Sequence, residues 1–109
     1  MAKLERTIHN QDFRALLLRI EQGILQSSLS ASLEDRSDFT EGDARCAVRV
    51  FERYSMLGNN RVSLSVTLFQ QGSGPIRLCA ITSGGSQALF FKLNTFGEEA
   101  FLDKLRELL

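Results

Sequence analysis

Three groups of residues in this chain could carry chemistry: one histidine with two cysteines, a run of carboxylates, and arginines interleaved with aromatic rings. Nucleophilic catalysis needs a thiol or hydroxyl beside a base that takes its proton. His9 is the one imidazole, and Cys46 and Cys79 are the two thiols. Neither cysteine stands in a nucleophile motif, and Cys46 falls in an alternating apolar stretch, where a free thiol packs as a small hydrophobe. One histidine and two distant cysteines also fall short of a zinc ligand set. The expectation is no catalytic residue, no metal and no cofactor.

The carboxylates Glu34, Asp35, Asp38, Glu41 and Asp43 cluster in sequence. A hard cation wants several such oxygens convergent, and this spacing is not that of an EF-hand. A solvated acidic loop over Glu34 to Asp43 is expected. The stretch Thr82-Ser83-Gly84-Gly85-Ser86-Gln87 could form a backbone nest for an anion, yet it lacks the lysine of a P-loop and no helix follows directly. A bulge or bend between strands is the expected role.

The arginines are more informative. Alternation along residues 45–53 puts Cys46, Val48 and Val50 on one side and Arg45, Arg49 and Arg53 on the other, with Phe51 between the last two. With Arg61, Phe69 and Arg77 on the same side from neighbouring strands, these residues form a basic and aromatic outer face. Residues four apart on a strand are separated by about 13 Å, so this is a spread surface and not a pocket. It reads first as arginines lying over apolar atoms beside acidic neighbours, next as a self-association face, and last as a surface for nucleic acid. Glu52 follows Cys46, Val48 and Val50 on the inward register, with Tyr54 after it. Glu52 and Tyr54 are therefore candidates for lining a ligand cavity between the sheet and the C-terminal helix.

The elements that must position these residues follow from periodicity. Leu4 and Ile8 suggest a short opening strand. Asn10 is placed as an N-cap and Asp12 in the first turn of an amphipathic helix over 11–26, with Phe13, Leu16, Leu17, Ile20 and Ile24 at helical spacing. The period then changes to two at Leu29, Ala31 and Leu33. After the acidic loop comes the arginine-bearing strand, then a turn at Gly58-Asn59-Asn60. Val62, Leu64, Val66 and Leu68 give the clearest strand, Ile76 to Thr82 another, and Gln87 to Leu93 a further one. Thr95 with Glu98 reads as a capping box opening a last helix, whose apolar residues are Phe101, Leu102, Leu105, Leu108 and Leu109. The short turns require antiparallel pairing. The fold class is thus α+β: two layers, one curved antiparallel sheet in the order β-α-β4/5-α, with both helices on one face.

Composition sets the outer limits. The 109 residues suffice for one core, so a single domain spanning 1–109 is expected. Thirteen basic and thirteen acidic residues cancel, which removes the electrostatic signature of a nucleic-acid binder. Ten of the thirteen cations are arginine, which favours forked, fixed contacts. The charged opening residues do not resemble a signal peptide, no apolar run suits a membrane span, and two cysteines suit a reducing compartment; the cytoplasm is expected.

The element order resembles the helix-grip and TATA-binding-protein-like architectures. The stretches Ser30-Ala31-Ser32-Leu33-Glu34-Asp35, Arg45-Cys46-Ala47-Val48-Arg49-Val50 and Ile81-Thr82-Ser83-Gly84-Gly85-Ser86-Gln87 are similar to those of a small family of uncharacterised bacterial proteins. That resemblance implies a bacterial, cytoplasmic origin and carries no activity or site residues. The functional expectation is a non-enzymatic module that self-associates through its sheet, as a homodimer. The alternative is a small-molecule carrier with a site near Glu52 and Tyr54 and a cavity of at least ~300 Å³. An enzyme ranks third.

Overall fold

A computed structural model describes residues 1–55, 60–84 and 91–109, with helix side chains near the C-terminus from Phe96 onward. The elements are β1 (Ala2–Ile8), α1 (Phe13–Gln26), β2 (Ser32–Glu41), β3 (Ala44–Ser55), β4 (Asn60–Gln71), β5 (Ile76–Gly84) and α2 (Phe91–Arg106). The five strands form one antiparallel sheet in the order β1-β5-β4-β3-β2. This is the expected α+β architecture, with four strands between the helices.

Val62, Leu64, Val66 and Leu68 of β4 face the helices, joined across the ladder by Leu78 and Ala80 of β5 and Leu4 of β1. Leu16, Ile20 and Ile24 of α1 and Phe101, Leu102 and Leu105 of α2 are fully buried against them. Each such side chain contributes about 1.5–3 kcal/mol relative to an exposed position, so the two helical stripes hold the layers together.

Local chemistry sets the ends of the elements, in places not where expected. Asp12, not Asn10, caps α1: its backbone is extended (φ −77°, ψ 130°) and its Oδ2 accepts the Ala15 N–H at 2.9 Å. Asn10 instead takes a left-handed φ of 57° in the link before the cap. Leu29 is fully exposed, and its strand starts only at Ser32. The acidic stretch expected to be a loop is β2 itself, closed onto β3 by Gly42, whose φ of +57° suits glycine.

Thr95 lies inside α2 and does not open it, since the helix already includes Phe91. Glu98 is buried instead at the sheet end, where its carboxylate accepts the Gly84 N–H at 3.0 Å and meets the Met1 amino group at 3.2 Å. Of the strand expected over Gln87 to Leu93, residues 91–93 are helical; residues 87–90 lie outside the described residues, as do Gly58 and Asn59 of the expected turn.

Candidate functional site

The inner and outer faces of β3 are the reverse of the expected ones. Phe51 is fully buried and Arg49 is 3% exposed, while Cys46, Val48 and Val50 stand on the side away from the helices. The cause is register. In the β3–β4 ladder Phe51 pairs with Leu64 and Arg53 with Val62, so odd-numbered residues of β3 share a face with the even-numbered core residues of β4. A hairpin centred on Asn59 would instead pair even with even, and a one-residue slip moves every side chain to the other face.

Arg45, Arg49, Phe51 and Arg53 therefore do not share a surface with Arg61, Phe69 and Arg77. The three inner arginines each lay an aliphatic stem across apolar ground and find their own partner. Arg45 sits 4.3 Å from the centroid of the Phe13 ring, and Arg53 4.6 Å from that of Phe101. Burial pushes the Arg53 guanidinium below its usual range. Arg49 donates from Nε to Glu21 Oε1 at 2.5 Å and from its two terminal nitrogens to Asp38 at 2.8 and 3.1 Å. Burial works against the Arg49 charge, and the hydrogen bonds to Asp38 and Glu21 more than offset it, so its pKa is raised.

Asp38 reaches that position through a bulge. Ser32 and Leu33 pair with Glu52 and Phe51, but Asp35 pairs with Val50, leaving Glu34 as the extra residue. Beyond Glu34 the even-numbered residues of β2 face inward, so Asp38 meets Arg49. The Arg49 hydrogen bond in turn holds the Asp38 carboxyl below its usual pKa. Asp38, Arg45 and Arg49 together with Phe13, Arg14 and Leu17 of α1 border a cleft of ≈ 310 Å³.

Among the described residues, no helix lies on the outer face. One register row crosses it as Phe39, Cys46, Phe69, Arg77 and Thr7. Phe39 is 59% and Phe69 41% exposed, and Tyr54 and Ile81 stand exposed on the same face. Ser63, Ser65 and Thr67 fill the middle of β4, with Ser63 and Ser83 hydroxyls 2.8 Å apart. Glu52 is also outside, paired with Arg61 at 2.9 Å. Glu52 and Tyr54 thus do not line a space between sheet and α2, because they share the parity of Val48 and Val50. Lys3 and Glu5 pair at 3.0 Å on β1. Phe39 was missed because its strand carries no apolar phase and reads as a loop; the available signal was Gly42-Asp43, a two-residue hairpin sequence.

The remaining candidates stay apart. No hydrogen bond joins His9 to either thiol among the described residues, and both cysteines are free. Burial, with Asp38 nearby, pushes the Cys46 thiol up, away from a reactive thiolate. Alternation along β2 scatters the carboxylates: Glu34 accepts from Ser32, Asp38 from Arg49, and Asp43 from Gln71. Among the described residues no group of three His, Cys, Asp or Glu side chains could hold a metal ion. Thr82, Ser83 and Gly84 belong to β5, whereas Gly85 to Gln87 of the suggested nest lie outside the described residues. No described helix is long and apolar enough to cross a membrane. No curated protein and no solved structure matches this chain. A family model does match it, over residues 1–109, and the chain belongs to that family of unknown function, DUF6054.

Proposed function

We propose that the protein is a non-enzymatic module that self-associates face to face through the side of its sheet that faces away from α1 and α2. The observation that supports this reading is the pair Phe39 and Phe69, exposed by 59% and 41% on either side of Cys46 in one register row. Aromatic side chains and arginine are the types enriched where proteins meet, and Arg77 continues the row.

Area and charge are compatible with a second copy. Five strands spaced ~4.8 Å apart and about seven residues long present roughly 550 Å². Two such faces bury about 1,100 Å², just above the ~1,000 Å² expected of a specific interface. The Lys3–Glu5 and Arg61–Glu52 pairs neutralise much of the charge on this face, so two copies approach without strong repulsion. Stacked sheets then pack about 10 Å apart, with outer side chains interleaved.

The free thiols of Cys46 and Cys79 support a reducing compartment, the bacterial cytoplasm, in the same reading. The β-α-β4-α order supports a helix-grip or TATA-binding-protein-like topology. Sedimentation equilibrium over a range of concentrations tests the dimer. A monomer–dimer equilibrium that Phe69→Glu shifts to monomer supports the reading; a wild-type protein that stays monomeric at the highest concentration overturns it.

A further inference from the structure

We propose that the cleft between α1 and the β2–β3 hairpin binds a small organic monocarboxylate. The cleft measures ≈ 310 Å³, at the small end of the ~300–1,000 Å³ range of ligand sites. That is room for one ring or short chain with one charged group.

Its two walls differ in chemistry. Phe13 and Leu17 present the apolar side, and they remain 6% and 8% exposed. Arg45 presents the polar side, and its orientation is fixed. Its guanidinium stacks on Phe13, while Nε and Nη2 both donate to Gln70 Oε1 at 3.3 and 2.9 Å. The donors of Nη1 have no partner among the described residues, and no carboxylate there pairs with Arg45. A planar, preoriented guanidinium with free donors is a fork for a carboxylate.

Arg49 has a different part in the same cleft. Its charge is already met by Glu21 and Asp38, so it forms the back wall and does not compete for the ligand. Arg14, exposed at the mouth, adds a second cation with no ion pair among the described residues. Arg14, Arg45 and Arg49 against Asp38 and Glu21, with Arg14 in the field of Asp38, leave one net positive charge that attracts an anion. Asp38, still 55% exposed in its side chain, opposes a second negative charge. The site therefore favours a monoanion with an apolar body over a phosphate dianion.

Benzoate is the probe, with benzamide as its neutral counterpart and inorganic phosphate as the dianion. Amide NMR spectra of the wild-type protein are followed as each is added to millimolar concentration. Benzoate is expected to give saturable shifts confined to residues 13–17 and 38–49, with benzamide and phosphate about tenfold weaker or more, as the loss of hydrogen bonds to a charged group implies. Arg45→Gln is expected to weaken benzoate by about tenfold, and Arg106→Gln, on α2, to leave it unchanged. Should Arg45→Gln lose its folded spectrum, Arg14→Gln replaces it, with a several-fold loss expected. Shifts that do not saturate, that spread over the surface, or that benzamide reproduces overturn the proposal.

Discussion

Arg49 and Asp38 meet in a parallel, two-bond pairing between β3 and β2, at 2.8 and 3.1 Å, with Glu21 of α1 closing on the Nε side at 2.5 Å. An edge strand and a helix are thereby tied to one buried cation. Removing one partner of a buried charge leaves the other uncompensated and costs about 3–5 kcal/mol, less where a partner is partly exposed. Glu21→Ala, at the more buried carboxylate, is expected to lower stability more than Asp38→Asn, as urea denaturation would show.

The same pair gives a pH signature. The Asp38 carboxyl sits below the ordinary aspartate value of 3.8 because Arg49 hydrogen-bonds to its charged form. A depressed folded pKa stabilises the protein above the unfolded value, and that contribution disappears as pH falls through the folded value. The stability difference between wild type and Asp38→Asn is therefore expected to be constant near neutrality and to shrink as pH drops below 3.8. A difference that holds unchanged through strong acid would contradict this.

Phe51 and Phe69 separate the two faces of the sheet. Phe51 is 0% exposed and Phe69 41%. Phe51→Ala is expected to cost about 3–5 kcal/mol by leaving a cavity, and Phe69→Ala less than about 1 kcal/mol in the monomer. Equal losses in thermal or urea melts would mean that the faces are misassigned.

Two glycines on the helices respond differently to a methyl group. A Cβ on Gly97 would lie 2.5 Å from Ser55 Oγ and 3.2 Å from Ser55 Cβ, so α2 must lift from β3. Gly97→Ala is expected to destabilise by about 1–3 kcal/mol through overpacking, with Ser55→Gly in the same chain restoring part of it. The atoms nearest to a Cβ on Gly23 belong to the Leu108 side chain. Those atoms are led by the two methyls of a flexible side chain, which can turn to another rotamer, and alanine gains about 1 kcal/mol in helix propensity. Gly23→Ala is expected to be near neutral or stabilising in the same melts.

Cys46 is expected to alkylate more slowly in the native protein than in the urea-unfolded chain at mildly alkaline pH, because burial holds its thiol protonated. Peptide mass spectrometry after timed iodoacetamide treatment measures this. An equal rate in both states would place the thiol in water.

Much of this was readable from residue types. The 3.6-residue stripe of Phe13 to Ile24 and the two-residue alternation of Val62 to Leu68 named the core of α1 and β4 correctly, because each element has one apolar phase only. β3 has two. Its even positions offer Cys46, Val48 and Val50, its odd ones Ala47 and Phe51, and the arginines tip a reading by charge toward the wrong side. Long stems let arginine sit over Phe13 and Phe101 while the guanidinium finds its partners. Which phase points inward depends on where the β3–β4 ladder is centred. β2 hid for a different reason: an edge strand exposed on nearly all its length needs no apolar phase.

The extra residue at Glu34 makes β2 a strand with its own reading frame. Excising that residue would straighten the strand and keep every cross-strand pair: Asp35 would follow Leu33 directly, and Asp38 would still meet Arg49. Excising a second would leave no bulge to take up the change and would carry Asp38 to the far side of the sheet. The loss of one residue in this segment is thus expected to be tolerated, and the loss of two to uncouple the edge of the sheet from its helix.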